Sequence, residues 1–274
     1  MKAESAYEKI FTDKKLTVGT EIVLDGEEAK HIMTVLRMKP GDELLLINGT
    51  GREMTARILN ENKGEVRLEA ISDAPCPSEP LNRVTLFQCL PKAGKLELII
   101  QKCVELGIFA IQPVYSKRCV VKPEAKESKL LRFNRVAQEA AKQSGRGRIP
   151  KVGPVQNLNE CDFSGFDAVL IAYEEEEKTT LKQALRKAFG EEKGKSDEGG
   201  NDIAMIIGPE GGFEPTELNL SLKTVLRQNP YHSVKGFCER KPQEWQCLQC
   251  SCMSWRDDAL LLYYTRLSSE PIRE

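Results

Sequence analysis

The chain has 274 residues, 30% of them charged, with a formal net charge of -1. This length allows two domains and a sizeable core, the charge balance excludes a global basic field for holding nucleic acid, and no run reaches the ~18 apolar residues of a membrane span. Met1-Lys2-Ala3-Glu4-Ser5 has no apolar segment behind it and does not read as a signal peptide, so a cytoplasmic chain with reduced thiols is expected.

Residues from about 15 to 75 read as β. Segments 18–24, 43–47, 54–59 and 65–70 are short strand-like runs. Turns punctuate them at Asp25-Gly26, Pro40-Gly41-Asp42, Asn48-Gly49 and Asn62-Lys63-Gly64. Asn-Gly and Lys-Gly turns between apolar runs are hairpin signals. One short helix, 27–38, interrupts with Ala29, Ile32, Met33 and Leu36 on one stripe, and it carries Lys30, His31 and Arg37. Alone, His31 reads as a helix-face residue near a core. The whole is a small β-barrel-like module. A Pro-rich hinge at 72–81, with Pro75, Pro77 and Pro80, marks a boundary. The expected domains are 1–74 and 75–220, with an atypical tail at 221–274.

Beyond the hinge, strands and helices alternate. Residues 84–90 read as a strand, and 95–106 as a helix with Leu96, Ile99, Ile100, Cys103 and Val104 inward and Gly107 as its cap. A strand at 108–114 precedes a helix at 129–144, whose inner face is Leu130, Phe133, Ala137, Ala140 and Ala141 and whose end is Gly145. A strand at 168–173, a helix at 180–189 and a strand at 203–207 complete the series. Such alternation predicts a mostly parallel sheet with helices on both faces. The acidic run 174–177 reads as a solvated helix entry, and 190–201 as a charged, mobile loop.

The apolar run 203–207 stops at Gly208-Pro209-Glu210-Gly211-Gly212. Pro209 fixes φ, and the two glycines permit positive φ, so the chain can turn sharply at the strand's C-terminal end. In open α/β sheets ligands bind at that edge. Adjacent glycines let a ligand approach the backbone. No Gly-Lys-Ser/Thr follows, so this is not a phosphate-binding P-loop. Two stretches are locally basic: Lys117-Arg118-Cys119-Val120-Val121-Lys122, and Lys142-Gln143-Ser144-Gly145-Arg146-Gly147-Arg148 extending to Lys151. The second lies where a helix ends in Gly-rich chain, so its arginines are expected to reach out. Arginine forks suit phosphates and base edges, but a solubilised helix end explains the pattern equally well.

Several stretches, in order, resemble the ribosomal RNA small subunit methyltransferase E family of knotted SPOUT methyltransferases. His31-Ile32-Met33-Thr34-Val35-Leu36-Arg37-Met38 with Gly41-Asp42 is similar to the start of that family's PUA-like barrel. Gln101-Lys102, Glu105-Leu106-Gly107, Pro113-Val114 and Lys117-Arg118 resemble its first helix and following strand. Glu139-Ala140-Ala141, Gln143-Ser144-Gly145-Arg146 and Pro150 resemble a further element, and 208–213 its Gly-Pro-Glu-Gly-Gly loop. The resemblance implies an S-adenosylmethionine-dependent enzyme that methylates N3 of one uridine in 16S rRNA on the assembled small subunit, acting as a homodimer. It implies Arg146 as the catalytic cation, and Ala172, Gly208, Pro209, Glu210, Gly211 and Gly212 at the cofactor. It implies Lys30, His31, Arg37, Lys117, Arg118, Gln143 and Arg148 at the RNA. No metal is expected. The alternative is an RNA-binding remnant of the family without catalysis.

The family continues after this loop with a Gly-x-Arg-Ile-Leu-Arg-Thr-Glu-Thr-Ala segment, which threads the knot and walls the cofactor pocket. Here 231–256 stands instead, with Trp245, Trp255 and Cys238, Cys247, Cys250 and Cys252. Cys247-Leu248-Gln249-Cys250-Ser251-Cys252 lacks a second ligand pair at zinc-finger spacing. The possible codons of Val234-Lys235-Gly236-Phe237-Cys238-Glu239-Arg240-Lys241-Pro242-Gln243, read from each third base, permit Lys-Arg-Ile-Leu-Arg-Thr-Glu-Thr-Ala-Gly. A frameshift between about 218 and 227 follows as the expectation. It leaves the sheet without its last strand, the pocket without a wall, and the tail disordered or prone to aggregate. Sequencing the coding DNA checks this: the expected result is a frame change upstream of 231, and one supported continuous frame contradicts it.

Overall fold

The structure is a computed structural model that describes residues 8–62, 64–92, 95–121, 127–173, 184–185, 188–189, 200–214 and 216–217, and the backbone of 231–235. Its contacts divide the chain into two units, Met1–Glu79 with Ala141–Ile149, and Pro80–Ala140 with Pro150–Glu274. The sequence boundary at 74/75 differs from this division mainly at the segment 141–149, which groups with the N-terminal unit.

The first unit holds strands β1 (Lys9–Phe11), β2 (Glu21–Leu24), β3 (Glu43–Ile47), β4 (Arg52–Asn62) and β5 (Glu65–Pro75) in the order β1-β3-β4-β5-β2. The β1–β3 pair is parallel and the others antiparallel. Alternation along β5 buries Val66, Leu68 and Ala70 against Leu44, Leu46, Ala56 and Ile58. A register shift between Ile58 and Asn60 leaves Leu59 as an extra residue, 41% exposed. The hinge expected from 72 onward begins later, because Ser72 to Pro75 still pair with β4; Pro75, opposite Arg52, sits at the strand end, where a missing N–H is tolerated.

The helix expected over 27–38 is α1 (Gly26–Lys30) followed by a π-helical turn, His31–Leu36. Arg37 ends it at φ 55°. A non-glycine residue there costs roughly 1–2 kcal/mol.

The second unit holds β6 (Arg83–Cys89), α2 (Lys95–Glu105), β7 (Ala110–Tyr115), most of α3 (Glu127–Gln143), β8 (Lys151–Val152), β9 (Gln156–Asn157), β10 (Ala168–Tyr173) and β11 (Asp202–Ile207). A further strand, β12 (Tyr231–Lys235), gives the order β12-β10-β11-β6-β7-β8, with β9 also on β7, and every pairing is parallel. Central parallel strands are covered on both faces, which accounts for the unbroken apolar runs of β10 and β11. The order reverses at β6, which pairs with β11 on one side and β7 on the other. The carboxyl ends beside that reversal are where such sheets bind ligands. Below them Phe87, Phe163 and Phe166 pack together, with Phe87 and Phe163 centroids 4.8 Å apart.

The tail corrects one expectation. Tyr231–Lys235 lies parallel on β10, from Val169↔Tyr231 to Tyr173↔Lys235, so the sheet does not end at β10. Ladder hydrogen bonds use the backbone, and such a strand forms without the side chains the family motif would supply. The segments 174–177, 190–199 and 236–274, including the tail cysteines and tryptophans, lie outside the described residues. Of the helix expected at 180–189, Ala184, Leu185, Ala188 and Phe189 are described and helical. No described helix is long and apolar enough to cross a membrane.

Phe163 is 1% exposed within its cluster. Phe163→Ala should lower the stability of this unit by about 3–5 kcal/mol, whereas Leu59→Ala should stay within ~0.5 kcal/mol. Urea unfolding of the two variants checks the contrast.

Candidate functional site

The loop after β11 is a tight turn. The Gly212 N–H donates to the Pro209 carbonyl at 2.9 Å, and Gly212 sits at φ +69°. A Cβ on Gly208 would lie 2.8 Å from the Phe213 ring, so this position cannot take a side chain without displacing a buried aromatic. Ala172 pairs with Ile207, one residue before the loop. The turn therefore presents Gly208, Gly211 and Gly212, without side chains, at the carboxyl edge of the sheet.

Three loops are tied together at that edge. The Glu210 carboxylate accepts from the Lys92 N–H, beyond β6, at 3.1 Å. Glu217, 1% exposed, accepts from the Lys117 N–H, beyond β7, at 2.6 Å and from the Glu214 N–H at 3.1 Å. Arg118 donates to the Gly211 carbonyl at 3.2 Å, and Lys117 Nζ lies 3.3 Å from Glu214. Lys117 and Arg118 thus hold the glycine loop while their side chains remain exposed. Sequence reasoning missed Lys92, Glu214 and Glu217. The signal was present: Glu214 and Glu217 have capping-box spacing.

In the first unit Lys30, His31, Arg37 and Gln143 are exposed. Arg146 departs from its expectation. Instead of reaching out, it is 4% exposed and forms a forked pair with Glu79, Nη2 to Oε2 at 2.6 Å and Nε to Oε1 at 3.2 Å. The same carboxylate accepts from the Arg148 N–H at 3.1 Å. The Gly51 N–H donates to the Gly147 carbonyl and the Ile149 N–H to the Gly49 carbonyl, so segment 147–149 is fastened beside the β3–β4 turn. Burial demands a partner for a guanidinium, and Glu79 lies 67 residues upstream, out of reach of any local pattern.

Comparisons with known proteins bear on what this edge is for. A family model described as "RNA methyltransferase domain" matches residues 77–227, and one described as "RNA methyltransferase PUA domain" matches 24–71. Ribosomal RNA small subunit methyltransferase E of Bacillus subtilis is 32% identical over 211 residues, covering 76% of this chain and 80% of that protein. The chain belongs to the ribosomal RNA small subunit methyltransferase E family. The Mycobacterium bovis member is 31% identical over 218 residues, 76% of this chain and 78% of its own. The solved Neisseria gonorrhoeae member, bound to S-adenosyl methionine, shares the fold with a TM-score of 0.63 at 23% identity, covering 95% of this chain and 97% of that one. The two-part architecture expected from the sequence, a PUA-type module and a parallel α/β methyltransferase domain, is thus the family's.

Glu79→Ala should destabilise the first unit by about 3–5 kcal/mol, because it strands a buried guanidinium. Adding Arg146→Met should recover most of that loss. Denaturation of the single and double variants checks this; an equal loss in both would contradict it.

Proposed function

We propose that the chain's scaffold transfers a methyl group from S-adenosylmethionine to N3 of a uridine in 16S rRNA of the small ribosomal subunit. The observation that carries this is the glycine turn at 208–212, stitched to the loops after β6 and β7 at the sheet's switch point. It fits the cofactor as a wall in which three glycines leave backbone bare, so that an adenosyl group can lie against it. Ala172, Gly208, Pro209, Glu210, Gly211 and Gly212 form that wall. Bound there, the cofactor supplies an electrophilic methyl on a sulfonium.

Uracil N3 is an imide nitrogen and must lose its proton before it attacks. A nearby cation favours the deprotonated form. Arg146 is the candidate cation, and its pair with Glu79 fixes the guanidinium while offsetting part of its field. Lys30, His31, Arg37, Lys117, Arg118, Gln143 and Arg148 are the candidate RNA contacts, reading shape and phosphates. A homodimer in the cytoplasm is part of the same reading.

A second reading, a binding remnant without turnover, is favoured by the tail. The family match stops at 227, and the sequence beyond it lacks the segment expected to wall the pocket. The test is methyl transfer from labelled S-adenosylmethionine to small subunits lacking the modification, with the product mapped by mass spectrometry. Weak or no transfer by this chain, and transfer to uridine N3 once the tail is re-read in its other frame, is the expected outcome. Transfer to another base or to protein by the re-read chain would overturn the reading.

A further inference from the structure

Three cations stand at the carboxyl edge of the second unit, and the glycine loop places each of them. Lys92, beyond β6, is exposed, and its backbone N–H is held by the Glu210 carboxylate at 3.1 Å. Arg118, beyond β7, is exposed and donates to the carbonyl of the next loop residue, Gly211, at 3.2 Å. A Cβ on Gly211 would lie 3.6 Å from both the Cβ and the carbonyl oxygen of Arg118, so the loop backbone rests against that residue. Lys117 starts from an N–H held by Glu217 at 2.6 Å. The strands that carry these loops are also joined at their ends, where the Leu90 N–H donates to the Val114 carbonyl at 2.9 Å.

These cations keep donors for a ligand. Glu210 anchors the backbone of Lys92 rather than its ammonium group, and no ion pair joins Lys92 to another described residue. The Gly211 carbonyl takes one of the five guanidinium donors of Arg118. Lys117 Nζ lies 3.3 Å from Glu214 with both side chains open to solvent. Such an exposed pair contributes little and yields to a phosphate. The remaining carboxylate, Glu217, is buried on the Lys117 and Glu214 N–H groups and does not oppose a ligand at the surface. A cluster of this kind fits an anionic strand, and the proposed acceptor says in which form. N3 of uridine carries the proton that pairs with adenine, so a uridine methylated there is unpaired and its strand is met single-stranded.

We propose that Lys92 joins Lys117 and Arg118 in a cradle for the phosphate backbone of single-stranded RNA beside the reacting uridine. This rests on the function proposed above and adds to it a contact on the loop after β6. Lys92 and Arg118 are bonded to consecutive residues of the glycine loop, so a strand held by both passes the bare backbone of Gly211 and Gly212. The carboxylates of the loop thereby position the cations as well as the candidate cofactor wall.

The test uses the full chain and a fluorescently labelled, uridine-rich single-stranded RNA, with binding read by anisotropy as salt is varied. Each phosphate contact on a single strand contributes about 0.7 to the slope of log affinity against log salt. Lys92→Gln should therefore lose that increment, and its affinity deficit should grow roughly fivefold as salt falls tenfold, from about 0.5 M to about 0.05 M. The substitution keeps the backbone bond to Glu210, and Lys92→Arg should retain both affinity and slope. Lys151 is the control, because it is exposed but pairs with Ala110 at the start of β7, at the opposite edge of the sheet. Lys151→Gln should leave the slope unchanged. An unaltered slope in Lys92→Gln, or an equal loss in Lys151→Gln, would overturn the cradle while leaving the proposed function standing. No RNA binding by the unsubstituted chain at low salt would overturn both.

Discussion

A buried carboxylate organises the candidate functional edge of this protein. Glu217 is 1% exposed, and its two oxygens take the N–H groups of Lys117 and Glu214 at 2.6 and 3.1 Å. A carboxyl group so deep is unfavourable unless it is hydrogen-bonded. The bonds that satisfy it join the loop after β7 to the loop after β11. Glu210 adds the loop after β6 through Lys92. Three carboxyl-edge loops, from strands adjacent at the switch point, are thereby held in one arrangement by the protein's own hydrogen bonds. Preorganisation of this kind lowers the ordering cost of binding.

The glycines make sense within that arrangement. Gly208 has no room for a side chain beside Phe213, and Gly212 needs a positive φ to close on Pro209. The loop thus combines a rigid frame with a bare backbone surface. In the first unit a different carboxylate does similar work. Glu79 holds Arg146 and the Arg148 N–H, and so fastens the Gly-Arg-Gly-Arg segment beside β3 and β4. The basic segment is part of that unit's structure as well as a candidate RNA contact.

What the sequence made legible follows from how each element is encoded. Strands β3, β6, β10 and β11 and helices α2 and α3 carry their own periodicity, and their expected positions fall within a few residues of those in the structure. Strands β1, β8, β9 and β12 are two to five residues long and exist because a neighbour offers a free ladder edge, which no local pattern records. The π-helical turn at His31–Leu36 left the stripe Ile32, Met33, Leu36 intact, so the periodicity read as one α-helix. Arg146 was misjudged because exposure was inferred from adjacent glycines, whereas its environment is set by Glu79. The glycine turn was found because Gly-Pro-Glu-Gly-Gly is local; the carboxylates that fix it act across about 100 residues.

In the proposed function the stitched glycine loop is one wall of a cofactor site, and the other wall is expected from a second reading frame of the tail. The most direct measurement is calorimetric titration of S-adenosylmethionine into the chain as it stands and into a chain whose tail is re-read in the other frame. The account predicts weak or no binding by the first and clear binding by the second. Tight binding by the chain as it stands would contradict it.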